Sequence, residues 1–225
     1  MSTLQTWLQG IDLDWIITEL FVVLSAVISL SFHEFSHAYI ARCLGDDTAE
    51  RMGRLTLNPL RHLSWSGLLM LAIFRFGWAK PVPVDMRRFQ NPKAGMALTA
   101  LAGPVSNVLL ALMSCIALQL LYLADRSVAL DYFIRFFTVM LLINAGLAVF
   151  NLIPISPLDG SKVLAVLLPD NAYDWLMRYE RYGFIALWLL LITDVLDKPL
   201  AFLRGGLING LLGLTNLIFG THLQY

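Results

Sequence analysis

The sequence predicts an all-α polytopic membrane protein of four to five transmembrane helices with a small re-entrant β element. Three observations carry this. The chain is 58% hydrophobic and 14% charged, against about 25% charged in soluble domains, and its mean hydropathy is +0.68. Several uncharged stretches reach the roughly 20 residues that cross a bilayer. One apolar run, His62 to Phe74, is too short to cross and has basic residues on both sides.

Residues 15–42 form the first span, and Gly95 to Leu123, which holds no charged residue, forms the second. Phe136 to Leu158 is the third; its helix should end near Leu152, because Pro154 and Pro157 break the helix beyond that point. Tyr182 to Thr193 is a shorter core that becomes a span with its flanks. Gly205 to Thr221 is apolar but carries Gly205, Gly206, Gly210, Gly213 and Gly220, and reads either as a last span or as a helix lying at the interface, with the interface favoured. There is no internal repeat. The length fits one membrane-embedded domain over residues 1–225, with a core at 15–168 and C-terminal helices at 173–221, and no soluble appendage. No cleavable signal is expected, since the first fourteen residues lack Lys and Arg.

Residues 43–94 break the pattern. Arg42, Arg51, Arg54 and Arg61 precede the short apolar run, and Arg75, Lys80, Arg87, Arg88 and Lys93 come after it. The positive-inside rule places both flanks in the cytoplasm, so the run should dip in and return. Leu55-Thr56-Leu57 and Val82-Pro83-Val84 read as short strands around it. Non-helical backbone at membrane depth requires protein or a water-filled cavity to satisfy it. The N-terminal side, with Asp12 and Asp14 and no basic residue, then faces outward. The third span returns inward and brings Asn151 to the depth of the first span's inner half.

That inner half carries the chemistry. His33-Glu34-Phe35-Ser36-His37 lies inside a run of membrane-type side chains. Two imidazoles and a carboxylate there cost several kcal/mol unless compensated, and a metal ion compensates all three. His33 and His37, at i and i+4, share a helix face. Glu34 is turned away from the ligand pair, as suits a base acting on water activated by the ion. Packing of paired polar residues is the alternative. The formal charge of +0 suggests no nucleic-acid partner; the bilayer is the partner. Cys43 and Cys115 fit no C-x-x-C pattern and read as packing residues. His62 and His222 lack a companion at ligand spacing and read as interfacial.

A second cluster, Asn151-Leu-Ile-Pro154-Ile-Ser-Pro157-Leu-Asp159-Gly160, places a carboxylate in apolar surroundings. Catalytic zinc takes three protein ligands and keeps a fourth position open, which His33, His37 and Asp159 would supply. Alternatively Asp159 caps a helix starting near Ser161. Asn151 is a candidate for substrate or oxyanion contact, or for an inter-helix hydrogen bond. Gly103-Pro104 with Asn107 suggests close helix packing, with Asn107 available to orient a ligand.

Together these elements, with Gly77-Trp78-Ala79-Lys80-Pro81-Val82-Pro83-Val84, resemble the site-2 protease family of intramembrane zinc metalloproteases, in a minimal form without a PDZ or nucleotide-sensing domain. The resemblance covers about residues 15–168. It implies one Zn2+ per chain on His33, His37 and Asp159, Glu34 as general base, Asn151 in substrate or oxyanion contact, and a membrane-embedded β element at residues 78–85. It implies cleavage of transmembrane-helix protein substrates; a bacterial inner membrane is the expected location, and the positive-inside rule puts the site toward the cytoplasmic half. A helical substrate must be unwound first, and the edge of the Val82 strand, carrying the Val82 and Val84 donors, is the expected clamp. The rivals are a non-proteolytic helix-binding relative and a metal transporter; the single compact ligand cluster argues against the latter.

Overall fold

The computed structural model describes residues 12–62, 64, 67, 69–70, 80–125, 127–221 and 223. Their helices are α1 (Leu13–Cys43), α2 (Thr48–Arg51), α3 (Pro59–His62), α4 (Pro92–Tyr122), α5 (Val128–Asn151), α6 (Asp159–Ala165), α7 (Asp170–Arg178), α8 (Glu180–Ile192) and α9 (Asp197–Phe219). Among them α1, α4, α5 and α9 are long and apolar enough to cross a membrane. The protein is an integral membrane protein.

Each of the first three long helices starts where its sequence supplies a cap. Asp12 accepts from the Trp15 N–H, Asn91 from Ala94 and Ser127 from Leu130, each satisfying one orphan donor of a first turn. Pro92 occupies the first position of α4, where its missing N–H costs nothing. α4 is the central element and packs on α1, α5, α6 and α9.

Lipid is as apolar as leucine, so these helices associate by close fit rather than by hydrophobic burial. Small buried residues accordingly line the contacts: Ser25, Ala26, Ser29, Ala38 and Ala41 on α1, Ala97, Ala100, Gly103 and Ala111 on α4, Ala145 and Ala148 on α5. Large apolar residues such as Leu20, Leu109, Met113, Phe133, Phe202 and Leu217 point outward. On a soluble protein they would be a liability; here they meet acyl chains.

α9 corrects the interfacial reading of residues 205–221. It buries Ile208 and Leu212 in one cluster with Ala111, Cys115, Leu118, Leu141 and Ala145. A buried polar lock secures its far end. The Gln119 side-chain amide donates to Thr215 Oγ1 (3.1 Å) and Asn216 Oδ1 (2.7 Å), and its carbonyl oxygen accepts from the Thr221 hydroxyl (2.5 Å). The glycines misled because they mark no close approach: a Cβ at Gly205, Gly206, Gly210 or Gly213 would meet nothing within 4 Å. α8 spans 13 residues and stays too short to cross.

No strand occurs among the described residues, so the β element is not present there. The reason lies in the amides. The Lys80 N–H donates to the His62 carbonyl (2.7 Å), Val82 to Glu34 Oε2 (2.9 Å) and Asp85 to Asp46 Oδ2 (2.7 Å). Donors committed to a side chain or a turn build no ladder. Residues 63, 65–66, 68 and 71–79, which include most of the short apolar run and Gly77–Ala79, lie outside the described residues, as does His222.

The segment 80–85 is held over the C-terminal end of α1 by Asp46, which is fully buried and also accepts from the Thr48 N–H. Gly45 permits the turn between them, with φ of 107° in the left-handed region. His62 is not interfacial: it is fully buried, and its Nε2 donates to the Thr56 carbonyl (2.6 Å). Cys115 packs in the core as expected, whereas Cys43 is exposed. At the start of α4, Lys93 donates to Asp170 (2.5 Å) and so holds that carboxyl below its ordinary range.

Candidate metal centre

α1 presents His33 and His37 one turn apart, and both rings pack on α4 at Gly103. Only glycine fits there: a Cβ would stand 2.5 Å from His37 Cε1 and 2.6 Å from His33 Nε2. Gly103→Ala is therefore expected to displace both imidazoles and cost most of the zinc bound per chain, with the helical circular-dichroism signal unchanged. A zinc titration of the purified variant at wild-type affinity would contradict this packing argument.

Asp159 arrives from the other half of the chain. α5 ends at Asn151, Pro154 and Pro157 prevent its continuation, and α6 starts at Asp159 itself. Gly160 lets this start press on the turn before it, since a Cβ there would lie 2.6 Å from the Ile153 carbonyl oxygen. The capping alternative does not hold: Leu158 occupies the cap position and no side-chain cap bond forms.

The three groups converge. Asp159 Oδ2 lies 3.1 Å from His33 Nε2 and 3.3 Å from His37 Nε2, and the two Nε2 atoms are 3.0 Å apart. The outer nitrogens decide what faces inward. His37 Nδ1 lies 2.7 Å from the Thr99 carbonyl, which only accepts, so Nδ1 carries the proton. His33 Nδ1 lies 2.7 Å from Asn107 Oδ1. With both Nδ1 atoms donating outward, two Nε2 lone pairs and a buried carboxylate oxygen without a hydrogen-bond partner point at one spot. Three converging acceptors repel one another unless a cation sits among them. Two imidazoles and a carboxylate form a donor set typical of catalytic zinc, so the residues fit the metal.

Glu34 is 8% exposed and turned off the ligand pair. Its Oε2 accepts the Val82 N–H. Asn151 stands at the end of α5 with Nδ2 donating back to the Leu147 carbonyl (3.0 Å). A cavity of about 510 Å³ joins these groups, lined by His33, Glu34, His37, Val82, Asn151, Asp159 and Lys162 among others. Sequence patterns alone do not single out Thr99 or Lys162 for this site. Thr99 acts through its backbone carbonyl, which no side-chain pattern reveals. Lys162, three residues past Asp159 on α6, is legible only once that helix is placed.

Comparison with known proteins agrees with this chemistry. Residues 120–190 match Peptidase family M50. A Bacillus subtilis protein named "Putative zinc metalloprotease YwhC" is 39% identical over 181 residues, covering 78% of this chain and 81% of that protein. The similarly named Rip2 of Mycolicibacterium smegmatis is 31% identical over 181 residues, covering 79% and 68%. Rip2 of Mycobacterium tuberculosis H37Rv is 31% identical over 180 residues, covering 78% and 68%. No solved structure matches. With the relatives aligned over most of both lengths, the chain belongs to peptidase family M50, the site-2 protease family of zinc metalloproteases.

Proposed function

We propose that this protein is a zinc metalloendopeptidase that cuts peptide bonds of membrane-protein substrates within or at the edge of the bilayer. The observation that carries this reading is the meeting of His33, His37, Asp159 and Glu34 in one cavity between membrane-crossing helices. The site belongs to the cytoplasmic half of a bacterial inner membrane. Arg42, Arg51, Arg54, Arg87 and Arg88 gather at the inner end of α1, while Asp12 and Asp14 mark its outer end.

His33, His37 and Asp159 would hold the zinc, which would supply a Lewis acid and bring the pKa of water to about 7. The Glu34 carboxylate takes a proton from water and returns it to the departing amine nitrogen. The Asn151 amide keeps one N–H beyond its bond to Leu147 and offers it to the substrate carbonyl oxygen as charge develops there. Asn107 and Thr99 keep the two imidazoles turned inward.

A transmembrane helix hides its carbonyls in its own hydrogen bonds, so cleavage requires local unwinding. The segment at Val82 supplies a place for the unwound backbone, although its Val82 donor is occupied by Glu34 rather than free. A substrate carbonyl that takes the Val82 N–H releases the carboxylate to act on water. Val82→Pro deletes that donor. The bond lost to substrate is a neutral amide–carbonyl one, worth about 0.5–1.5 kcal/mol, so cleavage of a transmembrane substrate should fall about two- to tenfold while zinc stays bound. Wild-type turnover by the variant would exclude the segment from substrate handling.

The reading as a whole is tested by co-reconstituting the protein with a single-span membrane protein in lipid vesicles and mapping products by mass spectrometry. Cleavage inside or at the edge of the span, lost with a zinc chelator and restored by added zinc, is expected. Zinc flux across the vesicle membrane without cleavage would favour a transporter.

A further inference from the structure

Histidine has two tautomers, and only one of them presents a lone pair at Nε2. His37 has its tautomer set by the Thr99 backbone carbonyl. His33 has a less decisive partner. An asparagine amide offers an acceptor at one end and donors at the other, and it can be turned either way. Something else must fix which end of Asn107 faces His33.

The structure assigns this task to Asn144 on α5, which contacts neither the zinc site nor its cavity; the inference rests on the zinc-site reading above. The chain of bonds has one fixed end. The Met140 backbone carbonyl can only accept, so the Asn144 Nδ2 donates to it (2.8 Å). Asn144 Oδ1 must then face Asn107, which donates its Nδ2 to it (2.9 Å). That leaves Asn107 Oδ1 toward His33 and puts the proton on His33 Nδ1 (2.7 Å). The His33 Nε2 lone pair then points toward Asp159 and His37. Asn107 and Asn144 are both fully buried, so no solvent substitutes for a missing link. Asn144 is a positioning residue: a carbonyl of α5 sets the tautomer of a ligand on α1 through two amides.

The inference has a signature that simple packing lacks. With Asn144→Ala, Asn107 is free to turn its Nδ2 toward His33 and draw the proton onto Nε2, so zinc affinity should fall by about 10–100-fold, the usual scale for losing an outer hydrogen-bond partner of a ligand. With Asn107→Asp, both carboxylate oxygens accept, and orientation no longer matters. In that background Asn144 Oδ1 faces an oxygen, so Asn144→Ala should cost nothing or raise affinity. Zinc affinities of wild type, N144A, N107D and the double variant, measured in detergent against a chromophoric chelator, test this. Histidine ¹⁵N spectra of the zinc-free proteins, assigned with His33→Gln, should show the Nδ1–H tautomer at His33 in wild type and a mixture in N144A. Unchanged affinity in N144A would overturn the inference. So would an equal loss from Asn144→Ala in the N107D background, which is what a packing role gives. Absence of zinc from the wild type would instead sink the zinc-site reading on which the inference depends.

Discussion

Glu34→Gln should leave zinc bound at the wild-type level and lower the rate of peptide cleavage by about 10²–10⁴-fold, the range that positioned acid–base groups contribute. The substitution keeps the size of the side chain. It also keeps an oxygen able to accept the Val82 N–H, the contact that places Glu34 at the cavity wall. What it removes is the capacity to hold a proton between the attacking water and the leaving amine. Glu34 is turned away from the ligand pair, so the donor set of His33, His37 and Asp159 is untouched. Substrate capture by the variant should therefore persist while turnover is lost. The measurement is cleavage of a membrane substrate in vesicles alongside the zinc content of the same sample. Undiminished cleavage would assign the base to another group.

Asp159→Ala should have the opposite profile: zinc is lost and activity with it. The carboxylate is the one anionic member of the donor set and the one delivered by the distant half of the chain. Without it, two neutral imidazoles on α1 remain, and the drop in zinc affinity should exceed the 10–100-fold expected for an outer partner. The fold should survive, since Asp159 does not cap α6 and its buried Oδ2 has no hydrogen-bond partner. A stable variant empty of zinc separates the ligand role from a packing role.

Much of the fold and the site is legible in the sequence because a membrane leaves polar groups few alternatives. Long apolar runs place α1, α4 and α5. The same solvent argument picks out His33, Glu34 and His37, and the alternation of spans brings Asp159 and Asn151 to their depth. The failures have equally local causes. The glycines of α9 suggest a poor span, yet they lie where nothing approaches, and Ile208, Leu212 and the Gln119 lock hold that helix. The alternation at Val82-Pro83-Val84 suggests a strand, but the amides of Val82 and Asp85 are taken by Glu34 and Asp46. His62 looks like an interfacial residue because its partner is a backbone carbonyl six residues earlier. Thr99 and Asn144 are invisible for a related reason. The first acts through its carbonyl, and the second matters only through the direction it imposes on Asn107.

Counting zinc per chain in detergent-purified wild type, Glu34→Gln and Asp159→Ala, side by side, tests the central claim most directly. One zinc in wild type and in Glu34→Gln, and little or none in Asp159→Ala, is the expected pattern. Zinc retained at wild-type affinity without Asp159, or no zinc in wild type after resupply, would mean that the two distant clusters do not form one metal site.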